Sequence, residues 1–544
     1  MSSESTFLGL PREIRDLIYR EYVTLEHGYV YNPATNQLKA GGPIHQPNLM
    51  ALQSCCKQFA HEMDGLALRH NIVRFYTICS IETKHRANAL FCLMKNMYST
   101  EAELLHQARG RISPEAKQRM ASRFPQFLHL IERFDVRPIV QEPDDGYGWT
   151  IVALPWEALR YMDTNQYGEA LSVYRDFVTY ALQSVLDTNP PGNLDQTWLS
   201  RASRVLGMCH EPWRIPEDDD DVARRRQLLY REFPTPWDTG FYYRFSVAAA
   251  CIRFLRSVPD VRSHMRQVVL EEDRPSVPFA ECHAQGLLPF LRETPKMHVT
   301  RRVNLWRNIL QYTETNDPDR ACARSSRRLL CKMQITPAIA RWVVEHLDLP
   351  EESFTLILDG DPVPQLSAQI FHESVSRDLQ WSRARAEAIL RGLVPDDEFK
   401  DNDYDQGWRR EYRRFPQAMA DIIAGRTSLI RCNFHPGYLG DPEEIIEIWR
   451  GIPKRDPFLP VDDPIYSWQS EWYSAWEKDT GDTDISPEEA RIWGSYPIYY
   501  QTVGPLPDWS DLAMENGNNL DDGFLSASPS GDDWDSQDWT LEFA

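Results

Sequence analysis

The segment Leu10-Pro11-Arg12-Glu13-Ile14-Arg15-Asp16-Leu17-Ile18-Tyr19 decides how the rest of the chain is read. Proline in the first turn of a helix costs little, because its missing N–H would have found no partner there. Ile14, Leu17, Ile18 and Tyr22 then return at three- and four-residue spacing, which predicts a helix with one apolar face. Arg12, Arg15, Asp16 and Arg20 are expected on the other face. Downstream, Tyr29-Val30-Tyr31, a polar turn over Asn32–Gln37 and Leu38 read as a short β-hairpin, ended by Gly41-Gly42-Pro43. A second helix is expected from about Asn48, burying Leu49, Leu52, Cys56 and Phe59. Asn71–Tyr76 reads as a short strand.

From about residue 80 to 350 the texture is helical. Apolar residues keep helical spacing from Leu159 through Leu182, until Asn189-Pro190-Pro191-Gly192 stops them. A second such run passes Phe241, Phe245, Ala248, Ile252 and Leu255, and a third is expected near Thr300 with Val303, Trp306 and Leu310 inward. Thr336-Pro337 reads as the cap and first turn of a helix carrying Ile339, Trp342, Val343 and Leu347. Then Phe354–Leu358 forms a strand signal closing on Asp359-Gly360-Asp361. A long helix follows through Phe371, Val375 and Leu379 to Gly392, a C-cap residue. Ser428–Phe434 is a second strand signal. Trp468, Trp472 and Trp476, four apart, predict one face of a short helix docked on the body.

The fold class expected is therefore mainly α, in five parts. These are a helical module with a hairpin insert (1–76), a helical body (77–350) and a smaller α+β portion (351–440). An acidic, Trp-rich arm packed on the body (441–504) and a disordered acidic tail (505–544) complete the chain. A length of 544 residues exceeds what one hydrophobic core usually serves.

Charge is unevenly placed. The chain has 80 acidic and 59 basic residues, and 24 of the acids but only 5 of the bases lie from Asp441 onward. The remainder is close to neutral, so an acidic segment that repels phosphate backbones is appended to a balanced body. Nucleic acid is not an expected partner. No apolar run approaches the ~18 residues of a membrane span, and the opening Met1-Ser2-Ser3-Glu4-Ser5 lacks the pattern of a secretory signal. The 10 cysteines include no C-x-x-C pair, which favours buried thiols over a disulfide framework or zinc module. A reducing compartment, cytoplasm or nucleus, is expected.

The Leu10–Tyr19 segment, with its "LP-x-EIR-x-x-IY" pattern, resembles the first helix of an F-box. Leu49-x-x-Leu52-x-x-Cys55-Cys56-x-Gln58-Phe59, followed by Glu62, resembles the second half. The pattern is similar to the long F-box-like proteins of filamentous fungi, which place a hairpin between the halves and a short strand after them. The resemblance implies a non-catalytic adaptor of an SCF-type cullin–RING ubiquitin ligase. In such an adaptor Leu10, Pro11, Ile14, Leu17, Ile18, Leu49 and Leu52 would meet the linker subunit, and the rest of the chain would hold an unidentified protein substrate. A non-ligase interaction scaffold, in which these helices are only structural, is the alternative.

Enzyme chemistry finds few footholds. His61-Glu62, His210-Glu211 and His372-Glu373 each lack the second histidine four residues after the first that a zincin needs. Asp401-x-Asp403-x-Asp405 has Gln406 and Tyr412 where a calcium loop needs Gly and Glu. Leu356-Ile357-Leu358-Asp359-Gly360-Asp361 superficially resembles the first motif of haloacid-dehalogenase-type phosphatases. There Asp359 would be nucleophile and Asp361 general acid, with magnesium assisting. A strand-end turn is the simpler reading. His283, in Glu281-Cys282-His283, reads as a packed turn residue. No cofactor or metal is expected.

Overall fold

The computed structural model describes residues 7–42, 51–77, 81–132, 140–141, 150–151, 168–188, 192–208, 211–216, 244–311, 328–330, 332–393, 412–450 and 498–500. They are largely helical, with a smaller mixed sheet. The region opens with α1 (Arg12–Val23), the hairpin β1 (Tyr29–Asn32) and β2 (Gln37–Ala40), and the short helices α2 (Lys57–Glu62) and α3 (Leu66–His70). Strand β3 (Ile72–Tyr76) follows. The hairpin and β3 stand where the sequence predicts them. The second helix does not: it starts at Lys57, where the Cys56 Sγ accepts the Phe59 amide and sets the N-terminus. The residues before it form turns, and Asn48 and Leu49 lie outside the described residues.

A helical unit comes next, built from α4 (Ile81–Ala108), α5 (Pro114–Arg123), α6 (Leu171–Asp187) and α7 (Gln196–Leu206). The three shorter helices have identifiable local causes. Ser113 and Asp195 accept amide hydrogens at the N-termini of α5 and α7. The uninterrupted spacing of Tyr174, Phe177, Val178, Ala181, Leu182 and Val185 buries one side of α6. These helices enclose a core in which the Phe127 and Phe177 rings pack at a tilt with centroids 4.7 Å apart.

The chain then returns to the sheet. Helix α8 (Val247–Ser257) leads to β4 (Gln267–Glu272) and β5 (His298–Asn304). After these come α9 (Lys332–Val344), β6 (Phe354–Asp359), α10 (Ser376–Leu390), α11 (Phe415–Ile423), β7 (Ile430–Cys432) and α12 (Pro442–Arg450). The sheet order is β7-β6-β5-β4-β3-β1-β2, parallel except for the β1–β2 hairpin. Its strands come from three of the segments that the sequence reading kept apart, 1–76, 77–350 and 351–440. Two expectations give way here. The stretch at Thr300, read as a helix, is the central strand β5. The helix read as starting at Thr336 begins at Lys332 and carries Pro337 inside it.

Strand order follows chain order from β1 and β3 through β7, skipping only the hairpin partner β2. Crossovers of one hand, the rule for parallel units, favour one side of the sheet for the helices packed on it. Burial agrees. Val73, Phe75, Val268, Leu270, Val299, Val303, Phe354, Leu356, Leu358 and Ile430 face α8, α9 and α11 in one core. The opposite face carries Ile72, Val269, Thr300, Ile357 and the exposed Tyr76 and Arg431, and is only partly covered by the described residues. At the hairpin, Gly28 takes φ +62° against the Ile72 carbonyl, a fit no side chain allows. Trp468, Trp472, Trp476, Asp401–Asp405 and the tail 505–544 lie outside the described residues.

Candidate partner-binding face and carboxylate cleft

Helix α1 is held by its polar side. Arg15, one of its three buried residues, makes a two-pronged contact with Glu62, Nε to Oε2 at 3.0 Å and Nη2 to Oε1 at 2.6 Å. Its Nη1 donates to the Leu10 carbonyl at 2.5 Å and the Leu8 carbonyl at 3.2 Å, tying down the chain before the helix. One turn on, the Tyr19 hydroxyl donates to Glu62 Oε2 at 2.6 Å, and Gln58 donates to Oε1 at 2.9 Å. The Arg15 hydrogen bonds, then the Tyr19 one, pull the Glu62 carboxyl down to about 2. Burial, then the Glu62 carboxylate, pushes the Tyr19 phenol up to about 12. Beneath these groups Tyr19, Val23 and Met63 pack with Phe7, Leu52 and Phe59 in a small core.

The apolar face of α1, expected to meet a partner, is the open one, and Arg15 on the other face is buried. Ile14, Leu17 and Ile18 are 43%, 54% and 40% exposed, and Leu8, before the helix, 41%. Pro11 is exposed, Leu10 is half-buried, and Leu52 is half-buried against the small core. Leu49 lies outside the described residues. Of the seven residues expected to meet a partner, Pro11, Ile14, Leu17 and Ile18 therefore form one open face.

A second arrangement lies at the carboxyl ends of the parallel strands, where open α/β sheets gather their functional loops. The Asp359 Oδ2 accepts Arg302 Nη2 at 3.1 Å. Its Oδ1 accepts Asn433 Nδ2 at 2.6 Å and the Asp361 amide at 3.1 Å. Arg302 also lies 3.5 Å from Asp361 and 3.8 Å from Glu271, which in turn lies 3.8 Å from Arg74. The Asn304 amide nitrogen donates to the Asp361 carbonyl at 2.7 Å. Burial, then the neighbouring Asp359, raises the Asp361 carboxyl, and burial raises that of Glu271. Glu271, Arg302, Asn304, Asp359 and Asp361, with Glu272, Asp273, Arg307 and Pro362, line a cavity of about 280 Å³. Both oxygens of Asp359 are thus already engaged. Among the described residues no cluster of three or more His, Cys, Asp or Glu side chains is placed to hold a metal ion.

No protein-family model, curated protein or solved structure matches this chain. Among the described residues no helix is long and apolar enough to cross a membrane.

Asp359 and Asp361 were legible in the sequence as a strand end. Glu271 and Arg302 were not, because they sit on strands whose alternation is broken by inward charges. His283 is fully buried, as a packed residue should be. Its Nδ1 lies 2.6 Å from the Ser246 hydroxyl and its Nε2 2.6 Å from the Pro278 carbonyl. The carbonyl can only accept, so Nε2 carries the proton and Nδ1 accepts from Ser246. Burial, then the Arg301 charge, lowers this imidazole to about 3, leaving it neutral.

Proposed function

We propose that this chain is a substrate-recognition adaptor of an SCF-type cullin–RING ubiquitin ligase, docking α1 on the linker subunit and presenting the rest of the chain to a protein substrate. One observation carries the reading: Ile14, Leu17 and Ile18 stand open on one face of α1, while Arg15 and Tyr19 fix the helix from behind through Glu62. A helix whose purpose was to cap the main domain would turn its isoleucines inward. Here each of these side chains keeps apolar surface that a partner groove would cover, worth about 1 kcal/mol apiece at half-exposure. Contiguous exposed apolar side chains mark interaction surfaces, and a helix laid in a groove is read at i, i+3 and i+4, the spacing of Ile14, Leu17 and Ile18. Such an adaptor works in the cytoplasm or nucleus and needs no cofactor.

The test is co-purification with the cullin linker subunit. Wild-type chain should retain the linker, and the double substitution Ile14→Asp with Ile18→Asp should release it. Because both side chains face solvent, the thermal midpoint should stay within a few degrees of wild type. A wild-type chain that does not bind the linker, or a double variant that still does, would remove the proposal.

A further inference from the structure

We infer that Asn71 is a positioning residue that locks α1 to the sheet. A partner docked on the open face of α1 and a substrate held by the rest of the chain then keep one mutual orientation. What the lock serves rests on the adaptor reading; the lock itself does not. Asn71 is buried and stands where α3 ends and β3 begins. Its side-chain nitrogen donates to the Val23 carbonyl, the last of α1, at 2.7 Å and to the Ala67 carbonyl of α3 at 2.8 Å. Its side-chain oxygen accepts the Leu25 amide at 2.7 Å, in the link between α1 and the β1–β2 hairpin. The final carbonyls of a helix have no partner within it. One buried group therefore closes two helix ends and holds the chain that leaves the first. A carboxamide suits this task because it carries two N–H donors and an acceptor on one plane. A carboxylate has no donor to offer two carbonyls, and an aliphatic side chain has neither donor nor acceptor.

The place of the lock gives it leverage. The next residue, Ile72, opens β3, which pairs with β1 on one side and β4 on the other. Arg15 and Tyr19 bind α1 to Glu62 of α2 and so fix it within its own module. That module has a small core of its own, separate from the main one. Asn71 carries the constraint across, from the end of α1 to a strand of the sheet. A second contact supports it beside α3. Gly65, at φ +63°, lies against the His264 ring just before β4, where a Cβ would stand 2.1 Å from the ring. Arg69 Nη2 meets the Nδ1 of the same ring at 3.0 Å. Ile14, Leu17 and Ile18 lie further back along α1, so loss of the Asn71 bonds changes the angle of the helix and leaves its open face intact.

The test is a distance distribution measured by double electron–electron resonance on the full chain. Spin labels are carried on non-natural residues at two exposed positions, Arg20 in α1 and Lys296 before β5. Wild type should give a single narrow distribution. Asn71→Asp and Asn71→Leu should each broaden it at least twofold, while hydrogen-exchange protection in β4 and β5 stays as in wild type. Affinity for the cullin linker subunit should change less than threefold in both variants, yet the distance from position 296 to a label on the linker should broaden as well. General loss of packing would lower affinity and protection together, whereas loss of the lock widens the angle alone. Unchanged distributions in the folded variants would overturn the inference. So would unfolding of both variants, which would make Asn71 a general stabiliser of the fold. Broadening in a chain whose wild type does not bind the linker would support the lock and remove the adaptor reading.

Discussion

Arg301 on β5 and Glu272 on β4 form an ion pair of 2.7 Å in which neither side chain is exposed to solvent. Both project from the covered face of the sheet, among positions otherwise filled by Val268, Leu270, Val299 and Val303. Further contacts engage the two terminal nitrogens of the guanidinium, while its Nε has no partner among the described residues. The guanidinium donates to the Ala280 carbonyl at 2.8 Å, lies over the Trp342 ring at 4.7 Å, and meets His346 Nε2 at 3.2 Å. His346 Nδ1 lies 2.6 Å from the Trp342 carbonyl, so that nitrogen carries the proton and Nε2 accepts from Arg301. Burial, then the Arg301 charge, lowers the His346 imidazole to about 3 and keeps it neutral.

Breaking this pair from one side should be far more damaging than removing it whole. Arg301→Met strands the Glu272 carboxylate in the core and should destabilise the fold by about 3–5 kcal/mol, whereas adding Glu272→Leu should recover most of that loss. Chemical denaturation of the two single variants and the double variant gives the coupling. Losses that simply add would show that the pair does not act as a unit.

The Glu62 contacts predict an acid sensitivity of the N-terminal module. The folded carboxyl sits near 2, below its ordinary 4.5, so its stabilisation is present above about 4.5 and is lost as pH falls through about 2. Glu62→Gln cannot ionise and should flatten that part of the pH–stability curve. At neutral pH it should speed hydrogen exchange across residues 12–23 at least tenfold. Unchanged protection there would show that α1 is held by something other than Arg15 and Tyr19.

Glu101 on α4 predicts the opposite slope. It is buried, with the Thr179 hydroxyl donating to it at 2.6 Å, and burial raises its carboxyl from 4.5 to about 8. The fold favours its protonated form, so stability is highest below about 4.5 and falls as pH climbs towards 8. The fall is at most about 1.4 kcal/mol per pH unit. Glu101→Gln keeps the shape and an acceptor for Thr179. It should therefore lie close to wild type at pH 5 and be clearly more stable at pH 9 in thermal melts. A difference independent of pH would show that Glu101 does not titrate in this range.

What could be read from sequence depended on whether a local period was interrupted. The hairpin at Tyr29 and the strands at Asn71 and Phe354 carry unbroken patterns and are present. The helical run read from Leu159 to Leu182 is present from Leu171, and residues 159–167 lie outside the described residues. Strands β4 and β5 escaped because Glu272 and Arg301 occupy core positions. Val303, Trp306 and Leu310, which span a strand and the turns after it, imitate a helical spacing. The anchoring of α1 by its polar face was hidden for a related reason. Arg15 and Tyr19 are drawn inward by Glu62, more than 40 residues away, and periodicity within one helix cannot show that partner. The cleft was half legible. Asp359 and Asp361 belong to a recognisable strand end, whereas Glu271 and Arg302 lie on the two strands that the pattern hid.

The order of the strands has a consequence for how this protein could lengthen. From β4 to β7 each strand borders only its neighbours in the chain within the sheet. Each crossover joins strands already side by side, so extra chain can be accommodated in it without parting them. The helical unit between β3 and β4 is such an insertion, and the two strands still pair over five residues in register. Growth could likewise occur by adding a strand and its crossover beside β7, leaving every existing pairing intact. Stability in such an array propagates from neighbour to neighbour, as it does in stacked repeats, and the terminal strands are where unravelling would begin.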